Sequence, residues 1–102
     1  MPLDDPDNPL AVEIQQEMAA AYFASCRKMV DSLEALKAFD RAGPPFSDEH
    51  TALRSQLLEE AAERVHYVII QREAMKLSWS EDFFQDYGVP IEVKALLGRQ
   101  RK

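Results

Sequence analysis

Glu63 and His66 stand three residues apart in the run LLEEAAERVHYVIIQREAMKLSW, residues 57–79. On a helix that spacing puts a carboxylate and an imidazole on one face, within reach of one cation. Two such half-sites facing each other hold a di-metal centre in helical bundles, each helped by a further carboxylate from a neighbouring helix. Glu34, one stretch earlier, is the candidate for that carboxylate. Gln56, Glu59 and Glu60 share the side of Glu63, however, and a solvated or simply hydrogen-bonded pair is the preferred reading.

Two cations carry the next chemical option. Arg54 and Arg72 fall by spacing within the apolar sector of the same stretch. A guanidinium turned inward is costly unless paired, so each should meet a carboxylate, a backbone carbonyl or a bound anion. Pairing with an acid of the preceding helix is the plain expectation. The functional alternative is a pocket for an anionic ligand such as a dicarboxylate, held by the bidentate fork of arginine. His50 sits where a helix cap is expected. Cys26 is the only cysteine, lies on an apolar stripe, and belongs to no Cys-x-x-Cys motif.

The elements that would position these groups are clearly punctuated. Asn8-Pro9 is a cap residue followed by the one helical position where proline loses no hydrogen bond, so a first helix is expected over about 9–41. Ala42-Gly43-Pro44-Pro45 stops it. Ser47 or Asp48 can cap a second helix over about 48–77, with Glu49 near its positive end. Ser78-Trp79-Ser80-Glu81 has the form of a capping box, which opens a short helix to Tyr87, closed by Gly88. Pro90 starts a last one through Leu97, with Gly98 expected to end it. No stretch alternates with the period of a strand, and the three glycines all fall at expected helix ends rather than in a phosphate loop.

Apolar spacing then predicts the packing. Met18, Tyr22, Cys26, Met29, Leu33 and Leu36 form one stripe, extended by Ile14, and Leu58, Ala61, Val65, Val68 and Met75 form its match, flanked by Leu57, Ala62 and Ile69. The fold class is therefore all-α, an antiparallel two-helix hairpin with a short helical C-terminal segment. Each helix also has a second apolar line, through Val12, Ala19, Phe23 and Val30 and through Tyr67, Ile70, Ala74 and Leu77. Phe23, Val30, Tyr67, Ile70 and Leu77 are the candidate interface, and a dimer forming a helical bundle is preferred over a monomeric three-helix bundle.

Composition limits the partners. A chain of 102 residues fits one domain, expected over 9–98, preceded by a disordered acidic segment 1–8 and followed by a basic tail 99–102. The formal charge of −6 disfavours nucleic acid and anionic membrane as main partners. No run reaches the roughly 18 apolar residues of a membrane span, and the first residues are acidic where a signal peptide is basic. With a single cysteine, a reducing cytoplasm is the expected location.

Through Glu34, Glu63 and His66 alone the chain is similar to the short two-helix members of the ferritin-like group, such as encapsulated ferritins. That resemblance implies iron or another divalent metal bound across a subunit interface. Without it no cofactor is expected. Three functions are carried forward: a non-enzymatic homodimeric interaction or accessory module, with itself and an unidentified protein as partners; a ferritin-like metal-binding protein; and a small helical enzyme or binder acting on an anion at Arg54 and Arg72.

Overall fold

The computed structural model describes residues 9–43, 47–77 and 81–100. Four helices follow one another: α1 Pro9–Ala42, α2 Asp48–Ala74, α3 Glu81–Tyr87 and α4 Ile91–Gln100. No strand occurs among the described residues, so the all-α hairpin expected from the periodicity is the observed architecture. The expected caps at Asn8 and Ser78, the proline turn at 44–45 and the acidic segment 1–8 lie outside the described residues.

α1 runs 34 residues without a breaker and stops at Gly43, whose φ of 72° turns the chain and whose N–H bonds to the Asp40 carbonyl at 3.1 Å. Ser47 opens α2 as expected. Its backbone is extended and its Oγ accepts the N–H of His50 at 3.1 Å, satisfying a donor that the first helical turn leaves free. His50 thus serves the cap with its backbone, while its ring lies 4.3 Å from that of Phe39 on α1.

The end of α2 differs from expectation. The helix stops at Ala74, three residues before Leu77, with no glycine or proline to mark it. Lys76 adopts φ of 60°; its N–H reaches the Glu73 carbonyl at 3.1 Å, and the Leu77 N–H reaches the Arg72 carbonyl at 2.8 Å. This pair of bonds is the Schellman closure. The same closure ends α3, where Gly88 (φ 62°) bonds to Gln85 and Val89 to Phe84. α4 departs from expectation in the opposite sense. It passes through Gly98 to Gln100, taking in Arg99 and Gln100 from what spacing assigned to a loose tail, because Gly98 keeps an ordinary helical backbone.

α1 and α2 pack antiparallel, and α4 packs on α2. Met29, Leu33 and Leu36 are buried against Ala61, Val65, Val68 and Ile69, and Phe83, Val89, Val93 and Leu97 close the core from the C-terminal helices. Each large side chain so buried contributes about 1.5–3 kcal/mol. The core covers only part of the hairpin. At the end away from the turn, Ile14 and Met18 remain 36% and 40% exposed, although they continue the main stripe. α3 and α4 have 7 and 10 residues, roughly 10 and 15 Å at ~1.5 Å per residue, whereas α1 extends for about 50 Å. They cannot cover its whole length.

Two substitutions test these helix ends. Lys76→Gly removes the strain of a side chain in the left-handed region and is expected to stabilise the fold by about 0.5–1 kcal/mol, despite the greater freedom of glycine in the unfolded chain. A Cβ added at Gly98 meets nothing within 4 Å. Gly98→Ala should therefore stabilise by up to about 1 kcal/mol, read as a rise of a few degrees in thermal melting.

Candidate functional site

Among the described residues, the densest polar assembly is at the turn end. Arg54, on α2, points its fork at two carboxylates from two other helices. Nε and Nη2 donate to the carboxylate oxygens of Asp40 on α1 at 2.8 and 3.1 Å, and Nη1 and Nη2 donate to those of Glu92 on α4 at 2.7 and 2.9 Å. The hydrogen bonds to Arg54 hold the carboxyls of Asp40 and Glu92 below their usual range, and the same bonds raise the arginine. A cavity of about 400 Å³ lies beside this clamp, between His50 and Leu58. Its arginine already serves two acids, so the charge available to an incoming anion is net negative.

Arg72 occupies a different setting in mid-hairpin. Its Nη1 donates to the Tyr22 hydroxyl at 2.7 Å, and its guanidinium carbon lies 5.4 Å from the centre of the Phe83 ring. One arginine thereby joins α1, α2 and α3. Tyr22 and Tyr87 both lie close to Cys26. Burial, with Cys26 alongside, pushes both phenols above their ordinary value, and Arg72 pulls in the other direction. The structure places Arg54 and Arg72, the two candidates for an anion, at separate positions, each joining three helices.

The candidate metal residues are likewise apart. Glu63 is exposed and lines a cavity of about 270 Å³ with Lys28, Ser25, Arg64 and Tyr67. Glu34 follows Val30 by one helical turn and so lies on the other side of α1, because Val30 is two residues, about 200°, beyond Lys28. His66 is half-buried, and its Nδ1 is enclosed without a hydrogen-bond partner. Among the described residues no three His, Cys, Asp or Glu side chains converge as a metal site needs.

All five candidate interface residues are exposed, from Val30 at 38% to Phe23 at 68%. They do not form one patch. Tyr67 opens onto the groove that contains Lys28, whereas Phe23 and Val30 lie on the opposite side of α1, the side on which Lys37 approaches Gly88 at the α3–α4 turn. Spacing alone missed two features. The partner of Arg54 on α4 could not be read from helices α1 and α2, although the acid–arginine pairing itself was expected. The grouping of Cys26 with Tyr87 required knowing where α3 lands.

The clamp makes stability depend on acidity. Asp40 and Glu92 have depressed values in the folded chain, so near their ordinary values of 3.8 and 4.5 the folded state binds fewer protons than the unfolded one. The stabilisation they supply is present above those values and is lost as pH falls through the lower folded ones. Chemical denaturation from pH 6 to about pH 3 should show this loss, and Arg54→Met should flatten the acid limb while lowering stability at neutral pH. No family model, curated protein or solved structure matches this chain.

Proposed function

We propose that this chain is a non-enzymatic homodimeric interaction module. The observation that carries the reading is the exposure of large apolar side chains on both long helices, with Phe23 at 68%, Tyr67 at 55% and Ile70 at 46%. Leaving such groups in water forfeits about 1.5–3 kcal/mol for each one that a partner would bury. The short C-terminal helices are already committed to the core through Phe83, Val93 and Leu97. A second copy can supply the missing cover by symmetry.

The charged groups support the same reading. Arg54 and Arg72, the two cations best suited to an anionic substrate, hold helices together in this fold. No helix among the described residues is long and apolar enough to cross a membrane, and the single cysteine suits a reducing compartment such as the cytoplasm. Because apolar residues lie exposed on opposite sides of the hairpin, one side can serve self-association and the other a different protein. Multi-angle light scattering of the purified protein is expected to give twice the monomer mass at tens of micromolar. A monomer there overturns the proposal.

A further inference from the structure

The hollow of about 270 Å³ between α1 and α2 is lined by Ser25 and Lys28 from one helix and by Glu63, Arg64 and Tyr67 from the other. Two of these side chains are cations and one is an acid, so the hollow has a net charge of +1. The chain around it has a formal charge of −6, with 18 acidic residues against 12 basic ones. Positive charge gathered in one cavity is therefore contrary to the composition.

These cations are not used by the fold. Arg54 and Arg72 each bind side chains of other helices. Among the described residues neither Lys28 nor Arg64 has an ion pair or a side-chain hydrogen bond, although Glu63 lines the same hollow. Arg64 is half-buried. A guanidinium that has lost part of its water without gaining a partner is poorly compensated, and two like charges around one cavity repel each other. A bound anion relieves both costs. One solvated lysine on a surface needs no such account, whereas two unpaired cations on facing helices around one cavity do.

The other lining groups narrow the ligand. The hydroxyls of Ser25 and Tyr67 add donors to those of the ammonium and the guanidinium, more than the two oxygens of a carboxylate can use. A phosphate group presents more acceptor oxygens and pairs well with an arginine fork. We infer that this hollow is a binding site for a phosphate-class oxyanion, with Lys28 and Arg64 supplying the charge and Ser25 and Tyr67 the hydroxyl donors. Glu63 repels the anion and holds the affinity down. The inference goes beyond the homodimer reading and does not depend on it, because every group belongs to one chain.

The test titrates the full chain with inorganic phosphate at constant ionic strength and follows the amide signals by proton–nitrogen NMR. Phenyl phosphate is the second probe, which separates a free ion from an esterified one. Saturable shifts around Ser25, Lys28, Arg64 and Tyr67 are expected, with a dissociation constant on the order of 1 mM. Lys28→Gln and Arg64→Gln should each weaken binding about tenfold, the loss of one charge-assisted hydrogen bond, and Glu63→Gln should tighten it severalfold. Arg41→Gln alters an exposed cation of α1 that lies ~20 Å from Lys28 at ~1.5 Å per residue, and should change nothing. The same spectra show that each variant stays folded. Tighter binding of phenyl phosphate assigns a monoester, and equal or weaker binding assigns the free ion. Shifts that do not saturate, an affinity that survives both Lys28→Gln and Arg64→Gln, or an equal loss in Arg41→Gln overturns the site and leaves the homodimer reading standing.

Discussion

Everything in this fold depends on one apolar seam, in which Met29, Leu33 and Leu36 of α1 are buried against Val65, Val68 and Ile69 of α2. Both helices are too regular to bend around a core, so a stripe on each can be covered only by an element lying parallel to it. The partner helix covers one side of each stripe and the C-terminal helices the other. Their shortness sets where the core ends. Beyond Tyr22 the same stripe continues through Met18 and Ile14, which stay 40% and 36% exposed because α3 and α4 are too short to follow it.

The polar contacts give that seam a register. An apolar stripe tolerates sliding by a turn, because one medium-sized side chain fits much like another. Two arginines remove that freedom. Arg54 meets Asp40 and Arg72 meets Tyr22, contacts that fix α2 against α1 at two levels, and both arginines also engage the C-terminal segment, through Glu92 and Phe83. The ion pairs at Arg54 are partly exposed, with 29% of its side chain open, so their value lies more in orientation than in energy. This accounts for two inward-leaning cations in a protein of net negative charge without a ligand for either.

The surface left over is informative for the same reason. A hairpin has two broad faces, and the C-terminal helices occupy one. The other retains a groove whose rims alternate small, apolar and charged side chains, and the flank of α1 beside α3 retains Phe23 and Val30. A ferritin-like centre would need Glu34 to reach Glu63 and His66 across a contact between chains, because within one chain Glu34 lies on the other side of α1.

Much of the architecture was legible in the residues because it follows from local rules. Periodicity of 3.6 marked both long helices and their facing stripes; Ser47 marked a cap, Gly43 and Gly88 marked ends, and the depth of Arg54 marked its ion pairing. The same rules failed where backbone conformation is set by surroundings. Lys76 closes α2 in a left-handed conformation that residue type disfavours, and Gly98 stays helical where residue type favours an end. The metal residues show the same limit: spacing established that Glu63 and His66 share part of one helix, but how far Glu34 lies from them depends on the rotation of α1 about its own axis. Sequence determined the elements and which of their faces are apolar, because those depend on neighbours three and four residues away. Only the tertiary structure decided which faces meet, how far along the hairpin the core extends and which groups share a cavity, because these depend on where α3 and α4 come to rest.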